Sequence, residues 1–195
     1  MDRTWTQDLT EQLSWHWDNL VRPKLDDLSD AEYLWEPAPG CWNVRRRAEA
    51  VTSSAAGSGD WVIDWDFPEP RPAPVTTIAW RLGHVTVGVF GMRNASHFGG
   101  PPADYQSTVW PAHAQDAIAQ LDDAYGRWIA GVAAFDDADL DRPCGPAEGV
   151  FGDLPYRALV LHINREAIHH LAEVMLLRDL YRAAGAVSGR PSPPG

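Results

Sequence analysis

The sequence predicts an all-α protein built as a four-helix bundle, with a small irregular or two-stranded excursion between the first and second helices. Four separate stretches repeat apolar residues with the period of about 3.6 residues that is typical of a helix. Outside them, the short runs CWNVRRR and DWVIDW in residues 40–74 are long enough for only a small sheet. We therefore predict a single domain over residues 1–185, with four long helices packed nearly antiparallel.

The first long helix is predicted after Thr6, a residue type that caps helix N-termini. Its apolar positions recur at helical spacing: Leu9, Leu13, Trp17, Leu20 and Val21. Pro23 is expected to weaken its end. Ser29 and Glu32 have the spacing of a capping box, in which each side chain satisfies the other residue's backbone donor. This spacing predicts a short second helix that is ended by Pro37.

The second and third long helices follow a proline-rich connector. Residues 67–74 alternate proline with other residues and predict an extended polyproline segment. Thr76 or Thr77 then caps the second long helix, which must end before the glycines and prolines of residues 99–102. The third long helix is predicted over residues 112–134, with a core face of Ile118, Leu121, Tyr125, Trp128, Ile129 and Val132.

The last long helix is predicted over residues 155–185 and is the longest uninterrupted helical pattern in the chain. Pro155 marks its start, because proline is tolerated in the first turn. Five residues fall within roughly one 60° sector of the helical wheel, namely Leu159, Ile163, Val174, Leu177 and Tyr181. Residues 186–195 contain too few apolar side chains to fold, so we predict a disordered tail there.

Two polar residues lie in this same apolar sector. Glu166 and His170 are four residues apart, so their side chains lie one turn apart on one face. Their desolvation would cost several kcal/mol unless something compensates it. A bound metal ion would do so, and so would a buried hydrogen bond between Glu166 and His170 without any metal. His162, His169 and Glu173 lie beside the stripe and are candidates for lining a pocket or supporting the ligands.

The second long helix offers a third metal ligand. Its apolar face consists of Ile78, Leu82, Val85, Val89 and Met92. His84 lies near the edge of that face, so two facing helices would bring His84, Glu166 and His170 to one point. Two imidazoles and one carboxylate, with one coordination position open, form a known catalytic zinc arrangement. The same ligand types also suit non-haem iron. Trp80, one turn before His84, is the best candidate for a pocket wall.

These two stretches carry a resemblance to a known family. The segment AWRLGHV, followed about eighty residues later by NREAIHHLAEVMLLRDLY, resembles the DinB superfamily, which includes mycothiol-dependent maleylpyruvate isomerases and bacillithiol transferases. The resemblance covers residues 4–184 and implies a four-helix bundle with a divalent metal. His84, Glu166 and His170 match the metal ligands, and Glu173 matches a polar position one turn later. Many relatives have His in place of Glu166, so the chain resembles the Glu-x3-His isomerase branch.

The resemblance and the predicted site lead to three hypotheses of function. The first is a metal-dependent enzyme, a mycothiol-like low-molecular-weight-thiol S-transferase or thiol-dependent isomerase that acts on a small electrophile. Its metal, zinc with nickel or iron as alternatives, would bind the thiol and lower its pKa. The second is a metallohydrolase that uses a metal-bound water as nucleophile. The third is a non-catalytic, stress-related helical bundle. None of these hypotheses assigns a catalytic residue.

Composition narrows the partners and the location. A formal net charge of −11 would repel phosphate backbones, which argues against nucleic-acid binding. No apolar run approaches the roughly 20 residues that span a membrane, so we expect a cytoplasmic protein. The two cysteines, Cys41 and Cys144, have no metal-binding or disulfide-framework spacing. Two of the long helices carry enough apolar surface for self-association, so a homodimer is expected.

Overall fold

The computed structural model describes residues 3–188 and is mostly helical, with one small antiparallel sheet of two strands. The α-helices are α1 Trp5–His16, α2 Arg22–Leu25, α3 Asp30–Tyr33, α4 Ile78–Gly83, α5 Met92–His97, α6 Ala114–Ala133, α7 Asp137–Asp141 and α8 Tyr156–Ser188. The strands are β1 Val44–Arg46 and β2 Trp61–Ile63. Two π-helical segments, Trp17–Val21 and His84–Gly91, and two 3-10 segments, Arg47–Glu49 and Pro146–Phe151, complete the regular structure.

The first long helical segment, residues 5–25, consists of α1, a π-helical turn and α2. Its N-cap is Thr4, whose side chain accepts a hydrogen bond from the backbone N–H of Gln7. The predicted cap, Thr6, is wrong, because Thr6 is buried and its hydroxyl donates to the carbonyl of Phe135. Pro23 lies in the first turn of α2, directly after the π-helical turn. The regular α-helix therefore ends at His16, seven residues before Pro23, where the prediction expected it to weaken. The chain stays helical through Leu25.

The short helix α3 is capped by Ser29, as predicted, because its hydroxyl accepts from the backbone N–H of Glu32. The other half of the predicted capping box is wrong. The Glu32 carboxylate accepts instead from Arg178 of α8, with 2.6 Å between Arg178 Nε and Glu32 Oε1. A tertiary ion pair has therefore replaced a local hydrogen bond. The helix ends at Tyr33, four residues before Pro37.

The predicted two-stranded excursion is confirmed. β1 and β2 pair antiparallel with Val44 opposite Ile63. Asp64, fully buried, accepts hydrogen bonds from the backbone N–H of Asn43 at 3.0 Å and from Arg45 Nε at 2.7 Å. Trp42 bonds on both sides to residues 75 and 77, directly ahead of the second long helix. The excursion is thereby fixed to the N-terminus of that helix.

The second long helical segment, residues 78–97, runs through α4, a π-helical stretch and α5. Thr77 caps it, as one of the two predicted candidates, by accepting from the backbone N–H of Trp80. The π-helical stretch between His84 and Gly91 was not predicted. At its end the N–H of Met92 donates to the carbonyl of Val87, five residues back. π-helical turns widen a helix and are frequent at functional sites.

The third and fourth long helices match their predictions closely. α6 lies within the predicted residues 112–134. α8 begins directly after Pro155 and continues three residues beyond the predicted end. The rest of the predicted disordered tail lies outside the described residues. Between the two helices lies α7, which was not predicted and which is capped by Asp136.

The core lies among these helices, since α1 and α4 each contact both α6 and α8. The largest fully buried side chains are Trp128, Tyr33, Phe90, Leu13, Leu25, Ile63, Ile78, Leu82, Leu121, Ile163, Leu171 and Val21. Within residues 3–188, no helix has the length and apolar character needed to cross a bilayer. Leu176 and Leu180 of α8 are exposed. They offer apolar surface for the homodimer, which stays a prediction.

Candidate metal centre

The three predicted ligands lie on two helical segments that pack against each other, the second long helix and α8. His84 begins the π-helical stretch, whereas Glu166 and His170 lie one turn apart on α8. The ring centroids of His84 and His170 are 4.7 Å apart and the rings are almost perpendicular. His170 Nε2 lies 3.7 Å from Glu166 Oε2. His170 is therefore close to both His84 and Glu166 at the contact between the two helices.

Both imidazoles are held through their Nδ1 atoms. His170 Nδ1 lies 2.8 Å from Glu173 Oε2, which can only accept, and 3.1 Å from Arg81 Nη1, which can only donate. His84 Nδ1 lies 2.7 Å from the hydroxyl of Tyr105, a group that can donate or accept. With Nδ1 protonated, Nε2 keeps the lone pair that a metal requires. Nε2 of His170 is the ring nitrogen that faces Glu166.

Tyr105 is a site residue that the sequence did not predict. It lies in the loop between α5 and α6, where no periodic pattern assigns a side chain to a direction. Gly88 makes its approach to His84 feasible, because a Cβ at that position would lie only 2.5 Å from the Tyr105 hydroxyl. A glycine inside an apolar helical pattern is a weak sequence signal of such a close approach, and Gly83 and Gly91 in the same segment share it.

The predicted pocket wall, Trp80, stacks on the ring of His84 with 5.3 Å between centroids and 18° between planes. Its indole N–H donates to the carbonyl of Asp64, which fixes the ring. Arg81 lies over the same indole, with its guanidinium carbon 5.3 Å from the ring centroid. The Arg81 guanidinium also pairs with Glu173 at 3.1 Å. The aromatic wall and this ion pair enclose His84 and His170 on one side.

Glu166 differs from its predicted position in the core stripe. Its side chain is 31% exposed, whereas Ile163 and Ala167 on the same helix are buried. The packed face is centred on those two residues, so Glu166 lies at its edge. His162, one turn earlier, approaches Glu166 Oε1 to 3.7 Å. His162 therefore contacts the proposed ligand from the solvent side.

A second group of ligand atoms partly overlaps the first. His169, His170 and Glu173 each offer one atom, and these atoms lie within 4.8 Å of one another. His169 is 64% exposed, and its Nε2 lies 3.5 Å from Glu173 Oε1. Arg81 lies beside this group, with its Nη1 3.1 Å from His170 Nδ1. A metal cation there would experience repulsion from the guanidinium.

Burial keeps both histidines neutral at neutral pH. Burial lowers the pKa of His84 to about 4, and the nearby His170 and Arg81 act in the same direction, whereas Glu166 and Glu173 act against it. Burial also lowers the pKa of His170, and its hydrogen bond to Glu173 opposes this. A ligating imidazole must be neutral. Burial therefore keeps the imidazoles of His84 and His170 in the neutral form that metal binding requires.

The metal-free protein is expected to lose stability in mild acid. An unfolded histidine takes up a proton below pH ~6.5, whereas folded His84 resists protonation down to about 4, so the unfolded state binds more protons between those values. The free energy of unfolding therefore falls as pH falls through this window. The share of His84 is about 2 kcal/mol between pH 8 and pH 5. Urea unfolding at both pH values, in the presence of a chelator, measures the loss.

His84→Gln is the test variant, because it removes this titration. His113→Gln is the matched control, since His113 is exposed and pairs with Asp30 at the surface. The acid loss should shrink in the first variant and persist in the second. An equal loss in both variants would show that His84 does not titrate as its burial requires.

One comparison with known proteins gives a match. A family model described as the DinB superfamily matches residues 12–174, a span that includes the second long helix, the first part of α8 and all three predicted ligands. No curated protein and no solved structure shows a significant match to the chain. The family match covers well over half of the sequence and agrees with the resemblance that the two helical motifs carry. The chain therefore belongs to the DinB superfamily.

Proposed function

We propose that this chain is a metal-dependent enzyme in which His84, Glu166 and His170 hold one divalent cation. The observation that carries the proposal is the orientation of His170, whose Nδ1 is bound to Glu173 while its Nε2 is turned toward Glu166. Members of the DinB superfamily often bind a metal. The proposal includes the four-helix bundle arrangement of the long helical segments that the resemblance implies.

The donor set fits zinc. Two neutral imidazole nitrogens and one carboxylate leave a coordination position open, as in catalytic zinc sites. The 3.7 Å between His170 Nε2 and Glu166 Oε2 leaves room for an ion at about 2 Å from each. Nickel and iron accept the same donors, so the proposal concerns the site and names zinc as its preferred occupant.

The alternative donor set of His169, His170 and Glu173 fits a cation less well. Nδ1 of His170 is already in contact with Glu173 Oε2, at 2.8 Å. Arg81 adds a positive charge 3.1 Å from the same atom. In the proposed arrangement, Arg81 and Glu173 instead hold the ring in place, which is the common role of a carboxylate behind a ligating histidine.

A bound divalent cation would lower the pKa of a thiol in its open position and so supply a thiolate near neutral pH. The chain's own cysteines are unsuited to that role. Burial raises the pKa of both Cys41 and Cys144, and each thiol donates to a backbone carbonyl. We therefore propose that a low-molecular-weight thiol enters as cosubstrate and attacks a small electrophile. Thiol S-transfer or thiol-dependent isomerisation would follow.

The proposed reaction suits a reducing compartment. Both cysteines are unpaired in the structure, and free thiols persist where glutathione-like buffers keep them reduced. A cytoplasmic location is therefore part of the proposal. Trp80 covers one side of His84 with an indole ring, which would limit the access of water to the thiolate.

Elemental analysis of the purified protein, followed by a conjugation assay, tests the proposal. Several thiols, including mycothiol, glutathione and cysteine, would be combined with a panel of electrophiles. We expect conjugation or isomerisation that chelation abolishes and zinc restores. Hydrolysis without any thiol would instead identify a metallohydrolase. Absence of bound metal, with no change on chelation, would favour a buried polar cluster in a non-catalytic bundle.

A further inference from the structure

A cavity of about 360 Å³ lies between α5, the segment before α8 and the first turns of α8. Its apolar wall includes Phe151, Leu154 and Leu159. Phe151 is 63% exposed and Leu154 is 47% exposed, so apolar surface extends from the cavity to its rim. The cavity also contains two arginines, Arg93 and Arg165. Apolar walls with a few convergent polar groups are typical of small-molecule sites.

The cavity adjoins the proposed metal centre along both helices. On α8, Arg165 Nη2 lies 3.3 Å from Glu166 Oε1, while the other oxygen of that carboxylate faces His170. On the second long helix, Arg93 Nη1 donates to the carbonyl of Gly88 at 2.8 Å. Gly88 lies against the ring of His84. A molecule in the cavity would therefore extend toward the metal ligands from one or two helical turns away.

The guanidinium of Arg93 has hydrogen-bond donors that lack a close acceptor in the part of the chain that the structure describes. Its hydrogen bond to Gly88 is short, but its contact with Glu148 is 3.4 Å, longer than the 2.7–2.9 Å or so of a charge-assisted bond. Its Nε is buried without a partner among the described residues. Glu148 is shared between two partners, since its other oxygen accepts from His97 Nε2 at the shorter distance of 2.9 Å. Five donors in a planar fork match a carboxylate.

The local charge contrasts with that of the whole chain. The formal net charge is −11, yet this cavity contains two arginines and a single carboxylate, Glu148. Arg93 is the deeper of the two cations, with a side chain 24% exposed against 68% for Arg165. Because Arg93 pairs with Glu148 and Arg165 pairs with Glu166, an anion would bind here through the remaining donors of Arg93 and not through an excess of positive charge.

We propose that this cavity binds a small organic acid, an apolar body with one carboxylate, whose charge pairs with Arg93 while the body packs against Phe151, Leu154 and Leu159. As the substrate class of the neighbouring centre, this inference rests on the proposed function. The binding itself does not require the metal. The two ideas are therefore separable by experiment.

Calorimetric titration of chelator-treated protein separates them. The probes are 3-phenylpropanoate, its neutral amide 3-phenylpropanamide and the cation 3-phenylpropylamine, which share one apolar body. We expect the acid to bind at least about tenfold more tightly than the amide, a difference of about 1.4 kcal/mol. The amine should bind most weakly. Equal binding of all three probes, or no binding at all, would overturn the proposal.

Arg93→Met should lower acid binding to the level of the amide and leave the amide unchanged. Leu154→Ala should weaken both acid and amide. Arg127→Met is the matched control, because Arg127 lines a different cavity and pairs with Asp123. Arg93→Lys keeps the charge and should restore part of the acid preference, with the melting temperature reporting whether each variant is folded. An acid preference that persists in folded Arg93→Met would contradict the assignment.

Repeating the titration with zinc-loaded protein distinguishes failure of the cavity proposal from failure of the proposed metal centre. Acid binding that appears only in the zinc-loaded protein would place the carboxylate on the metal, so the cavity proposal would be wrong while the metal centre stood. Arg93-dependent binding in a protein that retains no metal would support the cavity and contradict the proposed enzyme. Acid binding in both forms, with competition against the thiol-dependent reaction, is the result that supports both.

Discussion

Arg178→Ala is expected to reduce the free energy of unfolding by about 3–5 kcal/mol, because it leaves a buried carboxylate without its partner. Arg178 and Glu32 have side chains that are 3% and 5% exposed, and they are joined at 2.6 Å and 3.2 Å. A second contact links Arg178 to Asp27 at 2.8 Å. Removal of the guanidinium would leave the buried Glu32 carboxyl group without its partner, which is more costly than the loss of an exposed ion pair.

Arg182→Ala is the matched control. Arg182 lies one turn later on α8 and pairs with Asp27 at 3.1 Å, but both side chains are more than half exposed. Its removal should cost about 0–1 kcal/mol. Urea unfolding of both variants at pH 7 measures the difference. Similar small effects in the two variants would show that the buried pair contributes no more than a surface one.

A double replacement sharpens the test. Arg178→Met combined with Glu32→Leu removes both charges and keeps apolar volume, so it should recover much of the loss seen in Arg178→Ala. Recovery would show that the cost arises from the unpaired carboxylate. A double variant as unstable as the single one would instead assign the loss to packing of the long arginine side chain.

The pairing of Arg178 with Glu32 could not be predicted from the sequence, whereas the cap at Ser29 could. The spacing of Ser29 and Glu32 is a local signal, and it correctly predicted that Ser29 caps α3. The destination of the Glu32 carboxylate depends on Arg178, far along the chain, and no local pattern encodes that pairing. Local rules predict backbone caps well because both partners lie within one turn. Tertiary partners of long polar side chains require the fold.

The long helices were also predictable from the sequence, because the apolar period that marks a helix is a local signal. The core face of α6 includes Ile118, Leu121, Trp128 and Val132, which are all buried as the period of about 3.6 residues requires. The π-helical stretch from His84 to Gly91 is different. There a backbone N–H bonds to the carbonyl five residues back instead of four, and this change leaves no mark on the pattern of apolar residues. Periodicity therefore predicted a helix there but not its widened turn.

At the candidate site, helix faces predicted His84, Glu166 and His170 because wheel positions determine which side chains two facing helices present. Tyr105 lies in a loop, where direction depends on tertiary packing. Arg81 was visible as a polar residue on a ligand helix, but its pairing with Glu173 needed the interhelical geometry. Helix faces thus predicted that His84 and His170 lie close together and that Glu173 lies beside them, whereas Tyr105 and the pairing of Arg81 were not predictable.

His170→Ala is expected to abolish metal binding and, with it, the stabilisation that the metal provides. That stabilisation should be about 2.7 kcal/mol when free zinc is at a hundred times its dissociation constant, and about 4.1 kcal/mol at a thousand times. His84→Ala should have the same effect, because both imidazoles are proposed ligands. His169→Ala is the matched control, since it removes an adjacent but exposed imidazole. It should keep most of the metal and of the stabilisation.

The comparison is made within each variant, between zinc-loaded and chelator-treated protein, so that changes in packing cancel. Metal content and urea unfolding are measured together. Loss of metal in His169→Ala with retention in His84→Ala would assign the ion to His169, His170 and Glu173, despite the nearby Arg81. A wild type whose stability does not respond to chelation would favour the buried polar cluster. The expected pattern requires both His84 and His170, because only their rings converge across the two helices.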